Sequence, residues 1–153
     1  MLSKPFGGWS TITIGDWSDR CSYLTDVPYD LLGALETGVR THKTTLATFD
    51  AEGWEYTIIF EWLYTHIITN KDGEHKLYTF EIGRDQIAAE LVRDIRENLD
   101  DWACWTDFDR HRMSDDQFNE RRADLSVYCD MIERRMPSDD WVCVYRREGI
   151  EDA

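Results

Sequence analysis

Apolar and polar residues alternate from Trp9 to Ile14, where Ile12 and Ile14 are separated by Thr11 and Thr13. A period of two predicts a β-strand with one face on a core. Gly15-Asp16 breaks the pattern, and Arg20–Leu24 reads as a second short strand. Asp26 and Pro28 then signal a helix start, because a first turn tolerates the missing N–H of proline. Leu31, Leu32, Leu35 and Val39 follow at helical spacing, with Gly38 weakening the end of this short helix.

The middle of the chain changes to β. Lys43–Phe49 is rich in threonine, Asp50-Ala51-Glu52-Gly53 turns it, and Trp54–Thr69 is dense in Trp, Tyr, Ile and Phe. Asn70-Lys71-Asp72-Gly73 has the chemistry of a tight hairpin turn, since Asn and Gly accept positive φ. The chain returns through Leu77–Ile82, with Leu77 and Thr79 on one face and Tyr78, Phe80 and Ile82 on the other. Three segments joined by short polar turns predict an antiparallel meander.

After Ile82 the period becomes 3.6. Ile87, Leu91, Ile95 and Leu99 form a stripe that Ala88, Val92 and Trp102 widen; this is an amphipathic helix. A further helix begins near Asp115, with Ser114 as N-cap and two aspartates at its N-terminus. Its stripe is Phe118, Leu125, Cys129, Ile132 and Met136, and Pro137 ends it. Trp141–Tyr145 reads as a closing strand. The whole predicts one α+β domain over residues 1–153, an antiparallel sheet of about four to six strands with helices packed on one face.

Composition adds a charge to this frame. The 153 residues hold 31 acidic and 17 basic side chains, a net charge of −14, and the aromatic share of 13% marks a chain that folds rather than a disordered one. Residues 1–76 have 6 basic and 11 acidic side chains, and residues 77–153 have 11 and 20. Such a field repels nucleic-acid phosphates and anionic lipid and attracts cationic partners. It also keeps any cytosolic protein in solution, so charge alone leaves both readings open. Met1–Phe6 lacks the apolar run of a secretory leader, so none is expected before Cys21, Cys104, Cys129 and Cys143; no two of these make a CxxC unit, and Thr57–Ile68 is too short an apolar stretch to span a bilayer. Free thiols and a cytoplasmic location are expected.

Chemistry-bearing patterns are sparse. His42, His66, His75 and His111 include no pair at i, i+4, and no HExxH, P-loop or GxSxG motif occurs. Asp107-Phe108-Asp109-Arg110-His111 gathers carboxylates and an imidazole, as solvated loops often do. Cys129 and Cys143 sit in apolar surroundings and read as small core residues. The expectation is therefore no catalytic residue, no metal and no cofactor. One segment stands out. Asp100, Asp101, Asp107, Asp109, Asp115 and Asp116 are interleaved with Trp102, Trp105 and Phe108. Recognition sites combine aromatic anchors with steering carboxylates in this way. The alternative is that the tryptophans cap the core while the aspartates solvate the loop. Trp102 extends the helix stripe and is expected in the core; Trp105 is expected at the surface, among the partner-binding residues.

The layout of residues 10–82 resembles immunity proteins of bacterial contact-dependent growth-inhibition and related polymorphic toxin systems. The likeness lies in the strand and turn of Ile12–Asp16, in Ser22-Tyr23-Leu24, and in the helix bearing Leu31, Leu35 and Val39. It continues through His42-Lys43-Thr44, the strand to Ala47, the run Ile59-Phe60-Glu61-Trp62-Leu63-Tyr64, and the return strand through Phe80. The resemblance implies a small cytosolic protein that occludes one cognate toxin domain, frequently a basic nuclease, without catalysis. It carries no functional residues over to this chain. Two other classes remain: a small hydrolase-like enzyme using a carboxylate with His66 or His111, and a phage-type acidic mimic of nucleic acid.

Overall fold

The computed structural model describes residues 1–107 and 110–136. Along them run β1 (Trp9–Ile14), β2 (Trp17–Ser22), α1 (Val27–Thr41), β3 (Thr45–Asp50), β4 (Glu55–Phe60), β5 (Thr65–Lys71) and β6 (Glu74–Phe80). Then come α2 (Arg84–Glu97), α3 (Leu99–Ala103), a single 3₁₀ turn (Arg110–Arg112) and α4 (Asp115–Glu133). The fold is α+β: a four-stranded antiparallel meander in the order β3-β4-β5-β6, a separate β1-β2 hairpin, and helices packed together over the sheet. Phe108, Asp109, the Pro137 helix stop, the expected strand at Trp141–Tyr145 and Cys143 lie outside the described residues.

The hairpin tip of β5–β6 follows from its residues. Asp72 and Gly73 both take positive φ (54° and 79°), and Lys71 pairs with Glu74 across them. That is the conformation whose twist suits a two-residue hairpin.

The segment Trp54–Thr69, expected as one element, is two strands. Glu61 donates its N–H to Tyr64 O at 2.9 Å and closes a turn at Trp62-Leu63, a dipeptide with no turn chemistry of its own. The start of α2 imposes it. Arg84 donates its N–H to Glu61 O, and Gly83 packs so tightly on Trp62 O that any Cβ would collide. The second strand likewise begins earlier than expected, at Trp17, because Trp17 and Cys21 both reach the core.

Burial on the meander follows period two. Ala47, Phe49, Tyr56, Ile58, Phe60 and Ile67 point inward and are buried, and α1 packs against β3 on this side. Leu31, Leu32, Leu35 and Val39 supply the face of α1; Ile87, Leu91 and Ile95 supply that of α2. Gly38 sits inside α1 because Arg84 Cδ would lie 2.7 Å from a Cβ there. Asp26, expected as an N-cap, makes no capping bond through its side chain; its carboxylate pairs with Arg121 of α4 instead. Ser114 does cap α4, through a complete capping box with Gln117.

Candidate partner-binding surface

The acidic segment folds over the helix ends. Asn98 separates α2 from the five-residue α3, which turns Trp102 and then Trp105 inward. Trp105 is 1% exposed, its indole is 5.2 Å from that of Trp102, and its Nε1 donates to Thr25 O at 2.8 Å. The expectation of a surface tryptophan is therefore corrected. An indole has more area to bury than a short loop can leave wet, and a backbone carbonyl takes its one donor. Trp102 is in the core as expected, although its Nε1 has no hydrogen-bond partner among the described residues.

The aspartates of the segment are exposed but mostly paired. Asp100 accepts from Arg122 at 2.5 Å, Asp101 meets Lys4 Nζ at 3.1 Å, and Asp115 binds Arg110. Asp107 is half-buried and accepts from Thr106 Oγ1 at 3.3 Å; Asp116 is exposed at the first turn of α4. Asp109 lies outside the described residues.

Between these groups and the N-terminal segment lies an open hollow of about 510 Å³. Asp100, Asp101, Cys104, Trp105, Arg110 and Phe118 form one wall, and Pro5, Phe6, Gly7 and Gly8 the other. Phe6 stands 88% exposed at this rim. Arg110 lies over the Phe118 ring at 4.3 Å, so Phe118 serves this wall rather than the core stripe expected for it. The sequence carries no local signal for Phe6 or Arg110, because only the folded N-terminus brings residues 5–8 beside residues 100–118.

A second, more polar hollow of about 410 Å³ is lined by Asp16, Asp19, Trp54, Lys71, Lys76 and Tyr78, among others. Arg20 lies between Trp9 (4.5 Å) and Trp54 (5.0 Å), Lys71 Nζ is 4.2 Å from the Trp54 ring, and Asp19 accepts the Trp54 Nε1 proton at 3.0 Å. The cations already occupy the indole faces.

Nucleophile chemistry finds little here. Burial pushes the Cys21 thiol up to about 12 and that of Cys129 to about 11, and burial also raises Cys104. All three are free, buried and protonated at neutral pH. Among the described residues no three His, Cys, Asp or Glu side chains gather as metal ligands, and no helix is long and apolar enough to cross a membrane. One relay exists: His66 Nδ1 is 2.9 Å from Thr79 Oγ1, and its Nε2 is 3.5 Å from Glu61 Oε2. It lies on the outer sheet face, outside the lining of both hollows.

That outer face is the other surface the structure reveals. Leu46, Ile59, His66 and Thr79 form one cross-strand row, and Thr48, Thr57, Ile68 and Leu77 the next. Neither row contains Asp, Glu, Lys or Arg. Beside them the β4–β5 turn exposes Trp62 (55%), Leu63 (63%) and Tyr64 (40%).

No protein-family model matches the chain, and no curated protein and no solved structure matches it either.

Proposed function

We propose that this protein is a non-catalytic binding protein that occludes a cationic protein partner, as an immunity protein occludes its toxin. The observation that carries the reading is the hollow beside α3, with Asp100 and Asp101 on its wall and Phe6 exposed at its rim. Carboxylates at the rim of an aromatic-lined depression steer and then pair with Arg or Lys of a partner, while Phe6 offers area to bury. Trp105 contributes by holding α3 in place rather than by touching the partner. Existing pairs to Lys4, Arg110 and Arg122 hold the carboxylates in position, and a partner guanidinium would exchange with them at modest cost because exposed pairs are weak. A nuclease-type toxin with a phosphate-binding face has the required charge, and the cytoplasm is the compartment where it would be met.

Calorimetry with the C-terminal domain of the protein encoded by the upstream neighbour gene tests the reading. Near-stoichiometric binding that weakens as salt rises is expected, and Asp100→Lys with Asp101→Lys should slow association by about tenfold or more at low salt. An unchanged on-rate would remove this surface from the proposal. The hydrolase reading draws on the Thr79–His66–Glu61 relay alone; ester hydrolysis abolished by His66→Ala would establish it in place of occlusion.

A further inference from the structure

The β6 edge of the meander lies outside the lining of the acidic hollow. Its geometry follows from the hydrogen-bond alternation. Glu61 N–H donates to Tyr64 O, and in antiparallel pairs bonded and non-bonded residue pairs alternate. Carried through β5 and the Lys71–Glu74 pair, this directs the main-chain groups of Glu74, Lys76, Tyr78 and Phe80 onto β5. The N–H and C=O groups of His75, Leu77 and Thr79 therefore point away from the sheet, with no partner among the described residues. The opposite edge is closed at one end: on β3, Asp50 donates its N–H to Thr25 Oγ1 (3.0 Å), and its carbonyl accepts from Ser22 Oγ (3.4 Å).

The side chains at the β6 edge match the open main chain. Leu77 is 67% exposed and Ile68 beside it 40% exposed, continuous with Thr57 and Thr48 in one uncharged row. Exposed edge strands are templates for strand pairing. The two charged residues of β6, Glu74 and Lys76, pair with each other at 3.1 Å, so in a chain of net charge −14 this edge carries no net charge and a like-charged molecule approaches it at little cost.

We infer that β6 pairs antiparallel with β6 of a second copy of this chain, across a twofold axis at Leu77. The register is self-complementary. Leu77 meets Leu77 of the second copy, His75 meets Thr79, Lys76 meets Tyr78 and Glu74 meets Phe80, so no like charges face each other. The two meanders become one eight-stranded sheet, and the Thr48–Thr57–Ile68–Leu77 row runs unbroken through both copies. The hollow at α3, on the helical side, stays open.

Sedimentation of the full chain over a wide concentration range tests this. A dimer of twice the 18.1 kDa chain mass is expected, its fraction rising as NaCl goes from about 50 to about 500 mM, because salt screens the repulsion between two acidic chains. That trend is opposite to the one for a basic toxin, so the two readings fail separately. Leu77→Lys should raise the dissociation constant at least tenfold with an unchanged circular dichroism spectrum. In hydrogen exchange, the Leu77 and Thr79 amides should gain protection with concentration while those of Leu46 and Thr48 do not. A monomer at all concentrations, a dimer that weakens with salt, or a dimer indifferent to Leu77→Lys with unprotected β6 amides would each overturn the inference.

Discussion

The helical surface and the outer face of the sheet are built from opposite materials. Along α2–α4 arginines are spread among the acids and hold several of them: Arg96 bridges Asp130 and Glu133 (both 2.6 Å), Arg122 holds Asp100, and Arg121 reaches Asp26 ahead of α1 at 3.1 Å. Across the meander, two full cross-strand rows contain no formal charge, and Leu46, Ile68 and Leu77 are open to solvent. A net charge of −14 does not by itself locate a binding face. Several of the carboxylates counted along the chain are already paired in the fold, while the uncharged face depends on strand register and contributes nothing to a charge count.

The sharpest way to break this comparison is at Trp105. If it were a surface anchor, its removal would leave stability alone. Buried as it is, Trp105→Ala should cost about 3–5 kcal/mol in denaturant unfolding, and Trp105→Phe should cost about 1 kcal/mol more than Trp102→Phe, because Trp105 donates to a carbonyl while Trp102 Nε1 has no acceptor among the described residues. Next in size is the joint between the two regions. Gly83→Ala pushes a methyl against Trp62 O and should destabilise by about 1–3 kcal/mol, with loss of the near-ultraviolet signal from Trp62.

Asp94 tests how the helical layer holds the N-terminal segment. Burial alone would raise its pKa, but the Met1 ammonium (2.9 Å), the Leu2 N–H (2.8 Å) and Arg93 (3.1 Å) outweigh burial and hold it below the ordinary carboxylate value. A depressed folded-state pKa stabilises the fold above the unfolded-state value, and that contribution is lost as pH falls through the folded-state value. The urea midpoint should therefore drop on acidification below about pH 4, and Asp94→Asn should flatten part of that drop while lowering the midpoint at pH 7.

The smallest effects sharpen the contrast between the faces. Arg96→Ala removes two half-exposed pairs and should cost about 0.5–1 kcal/mol at low salt, less at high salt. Leu77→Lys, on the neutral face, should change monomer stability by no more than about 0.5 kcal/mol while acting on association. A large loss of stability there would mean the face is core, not surface.

Much of the fold was legible because local rules and tertiary demands agree. The Asp72-Gly73 turn, the period-two burial of β4, the 3.6-residue stripe of α2 and the Ser114 cap each follow from residues within a few positions of one another. The turn at Trp62-Leu63 was not legible, since Gly83 and Arg84 impose it from twenty residues away. The candidate surface was half legible. Asp100 and Asp101 do line a hollow, but its other wall is Pro5–Gly8, and Trp105 turned out to be part of the core.

By itself, the sequence determined the elements: hydrophobic period, turn chemistry and capping are short-range properties, and they specify an α+β chain of antiparallel strands and amphipathic helices. Which carboxylates are paired, which tryptophan is dry and which sheet edge is open were decided only by tertiary structure. Burial and ion pairing depend on groups brought together from far along the chain, such as Trp105 on Thr25 and Arg121 on Asp26, and no local pattern records those distances.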